Sequence, residues 1–238
     1  MSLANQRVVI IGGSSGIGLA VAKASAERGA KVVIAGRSQR RLDEARAAVG
    51  GDVETHTLDF TREKMLILFF DRIGTFDHLV ISAAQGVAGR FLELECDAVR
   101  EAFEGKFMGQ YMAARHGAPK IRGGGSVTFF SSLASVKAMP GLSAIAAMNG
   151  AVEALARTLA VELSPIRVNV VSPGVIDTPA HAWMPEEQRR AWFDGVAAML
   201  PVRRVGRPED VAHAVIYLME NAYTTGTILR VDGGNSIV

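Results

Sequence analysis

An apolar run, Val8 to Ile11, ends abruptly in Gly12-Gly13-Ser14-Ser15-Gly16-Ile17-Gly18, and a helical pattern starts at once after it. This junction restricts the fold more than any other stretch, because a strand that turns so tightly into a helix needs glycine for three different reasons. Gly12 takes backbone angles that a side chain forbids, Gly16 lets the backbone approach a bulky anion, and Gly18 lets the helix pack closely on the strand. The unpaired N–H groups of the new helix then face a phosphate. The spacing, Gly-x-x-x-Gly-x-Gly, differs from the common Gly-x-Gly-x-x-Gly, so its meaning depends on the residues after it.

The rest of the chain alternates regularly. Residues 19–28 have helical periodicity closing at Gly29, and residues 31–35 form a buried-type run of Val and Ile, which completes one βαβ unit. The pattern predicts further strands over 53–59, 77–82, 125–131, 166–171 and 227–231, with helices through 65–70, 96–116, 143–163 and 208–219. Strands alternating with helices predict an α/β fold, a doubly wound parallel sheet of about seven strands between two helical layers. With 238 residues, 49% of them hydrophobic, the chain can fill one sizeable core. No repeat or linker divides it, so residues 1–238 are expected to form a single domain.

Composition narrows the function. Charged residues are interspersed and sum to only +2, so neither nucleic acid nor an acidic membrane is expected as a partner. A single cysteine, Cys96, excludes an intrachain disulfide and a thiolate metal cluster. No metal site is expected, and a reducing cytoplasm is the natural location. The first six residues lead directly into a strand, so no signal peptide is expected, and no apolar run is expected to reach membrane-spanning length.

The end of the second strand selects the cofactor. An Asp or Glu about twenty residues after the glycines would bind a free ribose 2′-hydroxyl. Here the sequence reads Ala35-Gly36-Arg37-Ser38, with no acid and with a guanidinium suited to a 2′-phosphate. NADP(H) is therefore expected over NAD; the competing reading makes Arg37 the solvated start of an Arg-rich helix. One segment interrupts the alternation, residues 173–207, and carries Trp183, Trp192, Phe193 and Met199. At a strand's carboxyl end such a segment suits a substrate lid over 177–205 above a mostly apolar pocket, or a helical hairpin covering the core or a partner.

With the glycine turn, Arg37, Asp59, Ser131-Ser132, the run Asn169 to Thr178, Arg207-Pro208-Glu209-Asp210-Val211-Ala212 and Asp232-Gly233-Gly234 in place, the chain resembles the short-chain dehydrogenase/reductase family from about residue 7 to 234. The resemblance implies a Rossmann fold, NAD(P)(H) bound across the carboxyl ends of the strands, and a homodimer or homotetramer. It implies that Asp59, with Phe60 beside it, holds the adenine edge, and that Ser14, Ser15 and Ile17 hold the phosphates next to Arg37 and Ser38. Pro173, Gly174, Ile176 and Thr178 would meet the nicotinamide end. The family's fourth-strand Asn-Asn-Ala-Gly reads Ile81-Ser82-Ala83-Ala84 here, making Ser82, Ala83 and Ala84 further cofactor contacts, and Ile11 replaces the usual threonine.

The chemistry departs most from the family pattern, which uses Asn, Ser, Tyr and Lys. Ser132 matches the serine. Ile145 stands where Tyr belongs, Asn149 where Lys belongs, and Lys106 where Asn belongs. Lys and Asn have thus exchanged places, and their ammonium and amide are expected to meet across the site; two unrelated substitutions are the alternative. Ser132, Lys106 and Asn149 are the candidate catalytic residues, with water, Lys106 or His181 as proton source. The function expected is NADP(H)-dependent hydride transfer to a carbonyl or activated alkene. The alternative is an inactive NADP(H)-binding sensor or assembly protein, and a purely structural role comes third.

Overall fold

The computed structural model describes residues 3–83 and 86–238. The glycine turn joins β1 (Arg7–Ile11) to α1 (Gly16–Ala26), and two more strand and helix pairs follow: β2 (Lys31–Gly36) with α2 (Gln39–Val49), and β3 (Val53–Thr57) with α3 (Glu63–Ile73). After β4 (Phe76–Ile81) come α4 (Cys96–Phe103), a π turn (Glu104–Met108) and α5 (Gly109–Gly117). The chain continues through β5 (Ile121–Phe130), α6 (Ser143–Glu162), β6 (Arg167–Pro173), α7 (Glu186–Met199), α8 (Pro208–Glu220) and β7 (Ile228–Val231).

The seven strands run parallel in the order β3-β2-β1-β4-β5-β6-β7. Strand order reverses between β1 and β4, and a crevice opens at such a switch point beyond the carboxyl ends of the strands. Because successive side chains alternate faces, Val9 and Ile11 enter a core with α3, α5 and α6, whereas Val8 and Ile10 enter a second core with α1, α2 and α8. Strands buried on both faces explain why the sequence shows continuous apolar runs there.

Two expectations need correction. The sequence predicts one helix over 96–116, but a π turn interrupts it at Glu104–Met108, and such turns widen the backbone repeat at one point without any compositional signal. The sequence also predicts no membrane-length apolar run. Helix α6, 20 residues long, is nevertheless long and apolar enough to cross a membrane by length and composition. It packs on β5 and β6 with Val152 and Ala156 fully buried, and a helix that covers a sheet acquires apolar residues for that reason.

At the opposite end of the sheet from the glycine turn, His78 is buried between two polar partners. Its Nε2 lies 2.7 Å from Gln6 Oε1 and its Nδ1 2.8 Å from Ser126 Oγ. Since Gln6 Oε1 only accepts, Nε2 carries the proton and the serine hydroxyl donates to Nδ1. Burial first, and the Arg167 charge second, push its pKa down to about 4. The unfolded chain takes up a proton near pH 6.5 that the folded chain refuses, so stability from this site is full above pH 6.5 and is lost as pH falls toward 4. The expected loss is about 3 kcal/mol over that window. Urea unfolding of the wild type and of His78→Gln at pH 7.5 and 4.5 checks it; the variant should lose markedly less.

Candidate active site

The glycines behave as the turn requires. Gly12 has φ +91°, and a Cβ there would lie 2.5 Å from Ala83 N. A Cβ on Gly18 would lie 2.2 Å from Gly12 O, so no side chain fits between α1 and the turn. Ser82 completes the turn, with Oγ 3.2 Å from Ile11 O and 3.3 Å from Gly12 O. Ser15 stands before the first turn of α1 in extended conformation, and no acidic residue occupies that turn. Its N–H groups therefore face the cleft without a competing carboxylate.

A cleft of about 470 Å³ opens there. Of the residues expected to bind cofactor, Gly12, Ser14, Ser15, Gly16, Ile17 and Gly18 line it from the turn, Arg37 and Ser38 from the end of β2, Phe60 and Ser82-Ala83 from beside β3 and β4, and Thr178 from beyond β6. Lining residues not foreseen as cofactor contacts are Ile11, Gly36, Arg41, Leu58, Thr61, Pro179 and Ala180. Arg41 was detectable, because Ser38 N-caps α2 by accepting from Arg41 N at 3.4 Å, and a cap followed by basic residues presents them on the first turn. Neighbouring Arg40 pairs with Glu44 at 2.6 Å, leaving Arg37 and Arg41 as the guanidiniums that line the cleft.

Other expected contacts lie outside the cleft walls. Asp59 Oδ1 accepts from Thr61 N at 3.1 Å and Thr61 Oγ1 at 2.7 Å, a local Asx turn that leads into α3. Pro173 ends β6, Gly174 N donates to Val231 O at 3.0 Å, and Ile176 forms a bridge with Gly206. A Cβ on Gly174 would lie 2.7 Å from Asp232 Cα, so this glycine serves backbone packing. Ala84 lies outside the described residues.

Ser132 follows β5 and caps a short 3-10 turn, Leu133–Ser135. Its Oγ accepts from Ala134 N at 3.3 Å and from Asn149 Nδ2 at 3.0 Å. Both acceptor positions of the hydroxyl are therefore filled, and its own hydrogen is left for a ligand. Asn149 Nδ2 also donates to Ile145 O at 2.7 Å, while its Oδ1 is buried and has no partner among the described residues. Ile145, one turn earlier on α6, packs with Val87, Leu94, Val99 and Phe103 around buried Ala102, Ala144 and Met148. Where the family pattern places an acid, the wall of this site is hydrocarbon.

Lys106 sits in the middle of the π turn, 7% exposed, on a segment packed against α6. Burial alone lowers its pKa to about 8. The expected meeting of ammonium and amide is corrected by the structure: Asn149 Nδ2 goes to Ser132 and Ile145, and Asn149 Oδ1 accepts from nothing described. The reason is geometric, since a short amide on α6 reaches the serine turn beside it more readily than a side chain on the facing element.

In the 177–205 segment, a 3-10 turn (Pro179–His181) leads to α7. His181 packs on Trp192 and Phe193, with ring centroids 5.2 and 5.6 Å away, and burial lowers its pKa. Trp183 and Met199 are 79% and 66% exposed. The aromatic residues thus pack largely on one another or face outward instead of lining an apolar pocket. Among the described residues no cluster of His, Cys, Asp or Glu is placed to hold a metal.

A glycine cradle closed to any side chain, a helix N-terminus free of acid and two guanidiniums at the cleft edge fit a phosphate-bearing dinucleotide. Comparison with known proteins agrees. A family model described as enoyl-(acyl carrier protein) reductase matches residues 12–236. The chain belongs to the short-chain dehydrogenase/reductase family. It is 36% identical to the short-chain dehydrogenase/reductase ATR9 of Stachybotrys chlorohalonatus, over 98% of each chain. Among solved structures it is similar to a small-chain dehydrogenase in complex with NADPH, at 34% identity and TM-score 0.85 over 98% of this chain and 100% of that one. It is also similar to a short-chain oxidoreductase from Pseudomonas aeruginosa PAO1 containing an atypical catalytic center, at 28% identity and TM-score 0.91 over the whole of both chains. Membership in this oxidoreductase family accounts for the order of the strands, the position of the cleft and the serine at the end of β5.

Proposed function

We propose that the protein is an NADPH-dependent reductase of conjugated carbonyl compounds. One observation carries this reading: with its acceptor positions filled by Ala134 N and Asn149 Nδ2, the Ser132 hydroxyl acts toward a ligand only as a donor. Such a group stabilises a developing oxyanion and cannot take a proton from an alcohol. Bound NADPH supplies the hydride.

Ile145 provides no acid, and losing a positioned acid costs a factor of about 10² to 10⁴, or roughly 3 to 5.5 kcal/mol of barrier. Reduction of a simple ketone meets this cost in full, because its alkoxide needs a proton as it forms. Hydride addition to the far carbon of a conjugated carbonyl compound leaves an enolate instead. Ser132 donates to the enolate oxygen, and the carbon is protonated afterwards by water. On this reading Lys106, buried on the π turn that packs against α6, lends positive charge to the site. One structural relative is described as in complex with NADPH and another as containing an atypical catalytic center, which supports reading this site as one that binds NADPH without the usual tetrad. Assay of 2-cyclohexenone against cyclohexanone with NADPH tests the reading: consumption of the enone alone is expected, and consumption of the ketone alone would refute it.

The cofactor preference rests on Arg37 and Arg41 at the cleft edge, because charge-assisted contacts to a 2′-phosphate are worth roughly 1.5 to 3 kcal/mol. Arg37→Ala is expected to weaken NADPH about 10- to 100-fold while NADH affinity stays within about twofold. Nicotinamide fluorescence titrations with both nucleotides check it. On the same reading residues 177–205 act as the lid, since Pro179 and Ala180 line the cleft directly before His181 and its aromatic partners on α7.

A further inference from the structure

Glu153 is a carboxylate without an assigned task. It lies one helical turn beyond Asn149 and two beyond Ile145, on the α6 face that carries the site, and it is 7% exposed. Its Oε1 accepts from Ser131 Oγ at 2.8 Å and from Ser135 Oγ at 2.5 Å. These two serines bracket the turn that bears Ser132. Ser135 Oγ also lies 2.9 Å from Ser132 O, and Ser135 N donates to that same carbonyl at 3.1 Å. A buried carboxylate is costly to keep, and among the described residues no cation pairs with this one in a salt bridge, so the two serine hydroxyls are what hold it.

We propose that Glu153 is the positioning residue of the active serine: it clamps the Ser131–Ser135 turn onto α6 so that Ser132 Oγ stays where Asn149 Nδ2 and Ala134 N fill its acceptor positions. Helix α6 thus grips the turn at two points one helical turn apart. Asn149 holds the hydroxyl and Glu153 holds the backbone that carries it. This inference rests on Ser132 as the donor to substrate oxygen. It adds that the donor's aim is set by a group that touches neither substrate nor cofactor.

Two substitutions separate positioning from simple stability. Glu153→Gln keeps one oxygen able to accept from both serines, whereas Glu153→Leu keeps none. For Glu153→Leu the expected result is a fall in kcat of at least about tenfold on 2-cyclohexenone, with NADPH affinity within about twofold of wild type. Glu153→Gln should restore kcat to within about threefold. If Glu153→Leu does not fold, the Ser131→Ala, Ser135→Ala double variant removes the same two contacts and carries the same expectation. A crystal structure of the folded variant supplies a readout independent of turnover: the Asn149 Nδ2 to Ser132 Oγ hydrogen bond should be lost. Retention of that bond, or wild-type kcat at full NADPH binding, would overturn the proposal. If the wild type reduces no conjugated carbonyl, the reductase reading fails while the crystallographic comparison still decides the role of Glu153.

Discussion

Replacing Lys106 by Met is expected to stabilise the ligand-free protein by roughly 3 kcal/mol at pH 7 while impairing the site. The folded chain holds this ammonium where burial lowers its pKa from 10.5 to about 8, and a tenfold change in proton affinity corresponds to about 1.4 kcal/mol. The sign follows from proton counting. Between pH 8 and 10.5 the unfolded chain binds a proton that the folded chain does not, so wild-type stability rises with pH across that window. Below pH 8 both states are charged and the full desolvation penalty remains. The gain from Lys106→Met is therefore largest below pH 8 and vanishes near pH 10.5, and at neutral pH it corresponds to a rise in Tm of about 6 to 12 °C. Denaturant unfolding at pH 7 and pH 10.5 checks both the size and the pH trend. On the proposed reading Lys106 serves the site, so turnover should fall at least about tenfold in the same variant.

The largest kinetic effect is expected from rebuilding the family's tetrad. Lys106→Asn, Ile145→Tyr and Asn149→Lys together return the acid, the ammonium and the relay amide to the positions that the family pattern assigns them. A restored acid is worth a factor of about 10² to 10⁴, and it should appear on cyclohexanone, which needs the proton, far more than on 2-cyclohexenone. Space at residue 145 favours the exchange, because Gly86 stands beside Ile145 with no side chain of its own. The two ketones should converge in kcat/KM. A triple variant that binds NADPH and remains inactive on the saturated ketone would show that the altered wall, and not the missing acid, limits this site.

Much of this architecture is legible in the residues alone. Central strands buried on both faces leave continuous apolar runs that can be placed after the glycine turn, whereas the edge strands β3 and β7 are only partly buried, and a turn that admits no Cβ leaves glycines at fixed spacing. Arg37 is legible as a change of charge where an acid would otherwise stand. Other parts are not. A π turn adds one backbone repeat within a helix and changes no composition, so the break at Lys106 is invisible in the sequence. The grip of Asn149 and Glu153 on the serine turn depends on how α6 lies across β5, a tertiary fact that helical spacing alone suggests but does not fix. The local fold around Asp59 is not legible either: the N–H and hydroxyl of Thr61 engage one of its carboxylate oxygens in a turn that leads into α3. The apolarity of α6 fits both a membrane and a sheet, and only its packing on β5 and β6 shows which surface it covers.

The most direct test is deuterium transfer. NADPH carrying deuterium at the hydride position, prepared as each of the two stereoisomers, would be incubated with the protein and 2-cyclohexenone, and the product followed by NMR. The result expected is deuterium from one stereoisomer only, bound at the carbon β to the carbonyl, with hydrogen from water at the α carbon. Deuterium on the carbonyl carbon, or NADPH bound without transfer to any conjugated carbonyl tested, would contradict the reductase reading and favour a nucleotide-binding protein that has lost its chemistry.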